Sequence, residues 1–452
     1  MNSQPVQSGE TIPTSQQPTL ARELGLFDAT AITAGTIIGS GIFLVPTAVA
    51  AQLASPAMVF LVWVVGGALS LFGALSLAEM AAAFPGAGGI YVYLREAYGS
   101  PVGFLYGWAL LLMIHSGSIA TLAVAFGIYT AQFFPLTVAG QKGVAVFCVL
   151  LLTGVNCLGV RAGKWVQNIF TVAKVGGLAA MTVLIFTRPG SLGGLKQGFW
   201  PQAPLAPAWM QFGVALVAVL WAYEGWHVVS FAAGEFKQPT RDLPRSLLIG
   251  VLIITVAYLL ANASYYAVLT GEEIKQTDRV AAAAVTRVVG TTTAGFISVL
   301  ILVSIFGAMN GMVLTGPRVY YAMAQDGVFF PAFARLSARY RTPTLAIVMQ
   351  GAWAAGLSLL GTFQQLFTYV IFTAWIFYGA AVAAVVVLRL KQPGLPRPFR
   401  VPGFPWLPVI FSVAAVGITV STIVSDPRHA VLGIALILAG LPVYALFRRQ
   451  AG

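Results

Sequence analysis

Three groups of residues in this chain have the types and spacing to do chemistry. The first is Gly35-Thr36-Ile37-Ile38-Gly39-Ser40-Gly41-Ile42-Phe43, a glycine-rich run inside an apolar stretch long enough to cross a bilayer. A glycine in a helix interior costs roughly 0.5–1 kcal/mol relative to alanine, and unwound backbone in hydrocarbon exposes N–H and C=O groups that lipid cannot satisfy. Such a break is therefore expected to line a protected cavity, where freed amides and half-helix ends hold a small ionic or zwitterionic molecule. The second group, Leu220-Trp221-Ala222-Tyr223-Glu224-Gly225-Trp226-His227, interrupts a later apolar run in the same way. The third is a single residue, Lys174, too deep inside another apolar run to snorkel easily. An ionisable group there costs on the order of 3 kcal/mol or more unless protein solvates it. Plainer readings compete with each: close helix packing for the glycines, a packing or lipid-facing aromatic for Trp221, and a structural lysine bonded to carbonyls for Lys174.

The elements that must hold these residues are membrane helices. Of 452 residues, 58% are hydrophobic and only 8% charged, with a mean hydropathy of +0.85, values outside those of soluble globular chains. Runs of the ~20 residues that a span requires lie at 28–50, 57–83, 101–134, 143–160, 164–187, 208–235, 244–270, 292–324, 343–361, 364–390, 405–425 and 428–447. They predict an all-α polytopic membrane protein of twelve transmembrane helices, the third and eighth long enough to tilt strongly. Continuous apolarity, without alternation, argues against a β-barrel. The second break falls in the sixth run, where a five-plus-five inverted repeat would place it. The expected organisation is a tail over 1–26, a core over 27–390 with repeats of about 28–187 and 208–390, and helices 11 and 12 with a short C-terminus over 391–452.

Charge placement sets an orientation. Loops on the side of the N-terminus hold most of the basic residues, among them Arg22, Arg95, Arg161, Lys164, Lys237, Arg241, Arg245 and Arg318. The opposite loops hold Lys142, Arg188, Lys196, Lys275, Arg279, Arg287 and Arg428. This asymmetry predicts a multi-pass protein of the inner (plasma) membrane with both termini cytoplasmic. It also accounts for a net charge of +12 without a nucleic-acid partner, because the basic loops face an anionic leaflet. Residues 1–20, rich in Gln, Ser, Thr and Pro, read as a disordered tail, with no cleavable signal. Cys148 and Cys157 share the fourth run and have the spacing of neither a disulfide nor a metal site.

Several segments in order carry a family resemblance: Gly35 to Phe43, Ala78-Glu79-Met80, Gly88-Gly89-Ile90-Tyr91, Val166-Gln167-Asn168-Ile169-Phe170-Thr171, Trp221 to Trp226, and Lys237-Gln238-Pro239-Thr240-Arg241-Asp242-Leu243-Pro244. From about Leu24 to Arg400 the chain resembles the amino acid–polyamine–organocation superfamily, and within it the bacterial exchanger branch of the L-type amino acid transporters. The resemblance implies that backbone amides around Gly39, Ser40 and Gly41 take a substrate carboxylate. It implies that carbonyls of Ile37 and of Trp221, Ala222, Tyr223 and Glu224 take the ammonium, with Trp221 as an aromatic lid. Lys174 would stand in for a bridging sodium ion, and Tyr265 would help to link it to the substrate site. The implied activity is sodium-independent exchange of neutral α-amino acids by alternating access, with spans 1, 2, 6 and 7 rocking against the rest. No cofactor is implied.

Two departures from the resembled family are informative. Glu224 stands where eukaryotic relatives usually carry a small residue, and it can cap freed amides, recognise an amine or cationic side chain, or carry a proton. His227 and Glu79 are candidates to extend a proton path, and equally candidates for satisfied helix polar groups. The loop Phe133 to Lys142 lacks the cysteine that bonds a heavy chain in eukaryotic relatives, so no disulfide-linked partner is expected; monomer and dimer both stay open. Three histidines without ligand spacing, His115, His227 and His429, argue against a metalloenzyme. The absence of a Walker-type phosphate loop argues against an ATP-driven pump. Two alternatives stay open, proton-coupled uptake of neutral or cationic amino acids and an amino acid sensor on a transporter fold.

Overall fold

The computed structural model describes residues 19–53, 55–187, 199–200, 208–277, 279–290 and 294–451. Arg188, Lys196 and most of the expected tail lie outside the described residues. Among the described residues the chain is helical and contains no strand; a single bridge pairs Leu24 with Phe236. The helices are α1 (Leu26–Ile37), α2 (Gly41–Gln52), α3 (Pro56–Ala83), α4 (Ile90–Tyr98), α5 (Ser100–Ala109), α6 (His115–Thr130), α7 (Val138–Cys157) and α8 (Val160–Phe186). After them come α9 (Ala208–Ala222), α10 (Pro239–Val268), α11 (Gly271–Lys275), α12 (Val280–Val289), α13 (Ala294–Thr315) and α14 (Pro317–Gln325). The chain closes with α15 (Thr344–Leu360), α16 (Phe363–Lys391), α17 (Trp406–Ser425), α18 (Pro427–Leu438) and α19 (Gly440–Ala451).

Local sequence explains many of these limits. The Ser55 hydroxyl caps α3 by accepting from the Met58 amide, with Pro56 at the first helical position, where its missing N–H is not needed. Thr362 and Gln365 form a reciprocal capping box that starts α16. A π-helical segment, Leu110–Ile114, joins α5 to α6 into one long rod.

Nine helices among the described residues are long and apolar enough to cross a membrane. The pair α1 and α2, bent by 41°, adds a tenth if taken as one broken span. The ninth apolar run forms α15, of only 17 residues, and the sixth is helical to Ala222, unwinds, and resumes as a 3-10 segment over Val228–Glu235.

Two groups of helices surround the breaks. In one, α10 packs along α3 and α1, and α9 lies against α2 and α3. In the other, α13 packs on α8 and α6, and α15 on α7 and α6. The groups meet where α1 touches α8 and α13. The most apolar windows of Gly295–Gln325 and Ser100–Thr130 are 78% and 72% buried, against 22% for Trp406–Val424 and for Ala430–Arg448, so the former are central and the latter peripheral. Exposed apolar side chains such as Phe147, Trp165, Val172, Val413 and Val416 coat the outer surfaces of α7, α8 and α17. In water such a surface would drive association; in hydrocarbon it is the matching solvent.

Candidate functional site

The first break begins where α1 stops. Ile38 turns to an extended conformation and the Gly39 amide folds back on the Ile37 carbonyl at 2.8 Å. Gly41 and Ile42 then open α2, and the amides of a first helical turn have no intrahelical acceptor. The Ser40 hydroxyl at this helix start is buried with no partner. The positive end of the α2 dipole and these amides suit the break to an anionic group.

The second break follows α9. The Glu224 amide closes a turn on the Trp221 carbonyl (2.9 Å), and Gly225 adopts φ +106°, a left-handed conformation that favours glycine. The two breaks interlock. A Cβ on Gly41 would lie 2.7 Å from Ala222 Cα, and one on Gly225 would lie 2.8 Å from Thr36 Cγ2. Each break therefore needs its glycine to admit the other, which joins the packing and unwinding explanations in one arrangement.

Tyr258 of α10 ties the breaks together. Its buried hydroxyl lies 2.9 Å from the Ala222 carbonyl and 3.1 Å from that of Ile37, a forked donation across both. Its ring is held edge-on by Trp63 and Tyr223 at centroid distances of 5.4 and 5.2 Å. Tyr265, further along the same helix, donates instead to the Ile42 carbonyl at 3.4 Å. The residue that bridges the two breaks is thus Tyr258.

Lys174 of α8 is 1% exposed, and its three ammonium donors meet three carbonyls: Gly35 at 2.6 Å, Ile38 at 2.7 Å and Ser304 at 2.8 Å. The Ser304 hydroxyl adds contacts to the Ile38 and Gly39 carbonyls at 3.2 and 3.1 Å. An ammonium fully surrounded by acceptors is the condition under which a buried lysine can stay charged. Around it, Thr171 donates to the Ala31 carbonyl (3.0 Å), and Asn310 donates to Gln167 Oε1 (3.0 Å) and receives from Asn156 Nδ2 (3.0 Å). This fully buried polar network fixes α8, α13 and α7 around the end of α1. Among the described residues no three His, Cys, Asp or Glu side chains gather as a metal site.

Glu224 sits beside the second break, nearly buried. Tyr378 of α16 donates to its Oε1 at 2.6 Å, and the same hydroxyl lies 3.2 Å from His227 Nε2. His227 Nδ1 is buried without a partner. His115 is engaged elsewhere, its Nε2 2.9 Å from the Met312 carbonyl.

The two ends of the molecule differ. At the end that carries the N-terminal segment, Glu235 and Arg318 form a two-pronged ion pair (2.9 and 3.0 Å) with both side chains 0% exposed. Tyr91 and Arg95 both bond Asp326 there. Glu79 accepts from Arg389 at 2.9 and 2.6 Å and from the Val401 amide at 2.7 Å, so it clamps α3 to α16 and the linker that follows. At the opposite end a cavity of about 710 Å³ opens between α2, α6 and α9 and reaches down to Gly41 and Trp221.

Sequence reasoning singled out the backbone breaks, Lys174 and Glu224; in the structure the two breaks touch, Lys174 bonds the first and Glu224 lies at the second. It missed Tyr258, Ser304 and Tyr378, because tyrosines and serines are common in apolar helices and only their partners distinguish these three. The amide side chains Asn156 and Asn310 gave a weak signal, as unpaired amides in hydrocarbon would be costly.

Comparison with known proteins adds a functional frame. Residues 24–447 match the amino acid permease family. The serine/threonine exchanger SteT of Bacillus subtilis is 35% identical, covering 94% of this chain and 96% of that protein. The human b(0,+)-type amino acid transporter 1 is 33% identical over 96% of this chain and 90% of its own length. The human large neutral amino acids transporter small subunit 2 is 31% identical, over 94% and 80%.

Proposed function

The chain belongs to the amino acid permease family, and from that premise we propose that it is a sodium-independent exchanger of neutral α-amino acids working by alternating access. The observation that carries the reading is the Lys174 ammonium held by carbonyls of the first break and of Ser304. An ammonium built into the chain at this point would supply the charge that a sodium ion would otherwise bring to the broken helix.

The substrate carboxylate would bind the amides around Gly39, Ser40 and Gly41 at the start of α2. Its ammonium would bind carbonyls of Ile37, Trp221, Ala222, Tyr223 and Glu224, in competition with Tyr258, whose neutral hydroxyl now spans two of them. Charge-assisted bonds are about twice as strong as neutral ones, so the ammonium displaces or shares that contact. Drawing the breaks together with Trp221 above the side chain would close the route from the 710 Å³ cavity. Release then requires the Glu235–Arg318 end to part, with spans 1, 2, 6 and 7 moving against the others. Substrate drives this only by binding the closed state more tightly than either open one. Twelve spans in two inverted repeats, both termini cytoplasmic in the plasma membrane, and function without a disulfide-linked heavy chain complete the proposal.

A second reading is favoured by the Glu224–Tyr378–His227 chain, three linked groups able to pass a proton or to meet a cationic side chain. It makes the protein a proton-coupled carrier of neutral or cationic amino acids. Proteoliposomes separate the readings. Labelled alanine, serine, leucine and arginine are supplied with or without unlabelled amino acid inside, under imposed sodium or proton gradients. Exchange predicts uptake stimulated at least tenfold by internal substrate and indifferent to both gradients. Uptake into empty vesicles that follows a proton gradient, and is lost in Glu224→Gln, would establish coupling instead. Binding without any movement of label would identify a sensor.

A further inference from the structure

The cavity between α2, α6 and α9 opens onto the breaks at Gly41 and Trp221 and has further lining residues of its own. Its walls are apolar, with Leu44, Val45, Ile128, Val214 and Val217 among them, and its floor is Gly41 and Trp221. Gln132 and Tyr129 give polarity to one wall, and the Ser298 hydroxyl donates to Gln132 Oε1 at 2.7 Å, which leaves the Gln132 amide group as its donor end. One lining residue is charged: Arg279, exposed and placed just before α12.

The neighbouring charges make Arg279 distinctive. On the same loop Lys275 pairs with Glu272 at 2.6 Å, and Arg287 pairs with Glu273, which also bonds the Thr270 amide at 2.8 Å. The two acidic side chains described on this loop are therefore committed to other cations. Among the described residues, which leave out the adjacent Asp278, Arg279 makes no ion pair; it borders both this apolar cavity and a polar pocket beside Glu273 and Arg287, and its guanidinium carries five N–H donors in a fork that matches a carboxylate. A volume of about 710 Å³ is that of a small-molecule site.

We propose that this cavity is a capture site for amino acids, in which Arg279 pairs with the α-carboxylate and the side chain lies on the wall formed by α2, α6 and α9. It rests on the transport reading above and adds to it a binding step distinct from the central one. A cation at the mouth raises the local concentration of zwitterions presented carboxylate-first. That is also the orientation in which the carboxylate can pass down to the amides of Gly41 and Ser40. The contact is solvent-exposed, so salt screens it, whereas the breaks are buried and screened little.

The test measures leucine exchange in proteoliposomes for the native protein, Arg279→Gln and Arg279→Lys, at low and high ionic strength. Inhibition by 4-methylpentanoate, a branched carboxylate that has no amine for the central carbonyls, is measured alongside. The expected result is a KM at least fivefold higher in Arg279→Gln with Vmax within twofold, and a smaller rise in Arg279→Lys. The native KM should rise with salt while that of Arg279→Gln does not, and 4-methylpentanoate should inhibit the native protein but not Arg279→Gln. Equal KM, equal salt response or equal inhibition in native protein and Arg279→Gln would overturn the capture site and leave the transport reading intact. Loss of leucine exchange in the native protein would instead defeat the transport reading, and 4-methylpentanoate protection against thermal unfolding, present in native protein and absent in Arg279→Gln, would then still decide the site.

Discussion

At the scale of single residues, Lys174 is the side chain on which the proposed mechanism leans most. Three carbonyls from two separate elements converge on one ammonium. Hydrogen bonds to charged groups contribute about 1.5–3 kcal/mol each, and the acceptors left behind would be buried. Lys174→Ala is expected to slow exchange by about a hundredfold, the equivalent of ~2.7 kcal/mol, while insertion and monodisperse elution persist. Native transport kinetics in that variant would remove the lysine from the mechanism. The lysine was legible in the sequence because a charge so deep in an apolar run demands an explanation. Its partners were not, since a carbonyl is common to every residue and only folding selects which three face α8. Glu79 reads in the sequence equally as part of a proton path or as a satisfied polar group, and its oxygens are engaged by Arg389 and the Val401 amide in a clamp.

At the scale of elements, the unit is the crossing of two interrupted helices. Gly41 admits the backbone of Ala222, and Gly225 accepts Thr36, so neither break has its shape without the other. Gly41→Ala places a methyl group 2.7–2.8 Å from Ala222 Cα and Cβ, which are backbone and a rigid stub that cannot swing aside. Overpacking of this kind typically costs about 1–3 kcal/mol. The expected outcome is a melting temperature lower by several degrees in detergent and a KM raised by at least tenfold for every amino acid transported. A variant with native KM would mean that the approach of α2 to α9 is not part of the binding geometry. Sequence indicated both breaks from their glycines, but not that they touch, because the contact joins residues remote in the chain.

At the scale of the whole molecule, a buried ion pair fastens the end that carries the N-terminal segment, and the cavity that reaches Gly41 and Trp221 opens at the other. The buried Glu235–Arg318 pair joins the 3-10 segment after the second break to α14, and so joins the two groups of helices. Removing one partner of a buried pair costs about 3–5 kcal/mol because the other charge is stranded, whereas replacing both can be neutral. Arg318→Met alone should therefore lower stability markedly. Glu235→Gln with Arg318→Met should recover it while leaving the end easier to part. A cysteine at Ser230, fully buried here, in a background with Cys148 and Cys157 replaced by alanine, reports the parting. Maleimide labelling should be at least fivefold faster in the doubly neutral variant than with the pair intact. Equal rates would assign the pair to folding alone.

The sequence by itself determined the solvent and the elements. A chain that is 58% hydrophobic and 8% charged belongs in lipid, and lipid permits an open backbone only where protein shelters it, so glycine runs and a deep lysine mark a candidate site in the sequence alone. Those signals are local, and each is carried by composition within one run. Tertiary structure alone decided which groups answer them: Tyr258 across two carbonyls, Ser304 beside Lys174 and Tyr378 on Glu224. Hydrogen bonds and ion pairs between helices depend on which faces meet, and hydropathy cannot rank the faces of a helix that is apolar all round. A residue type says what a group can donate or accept; only the packed helices say to what.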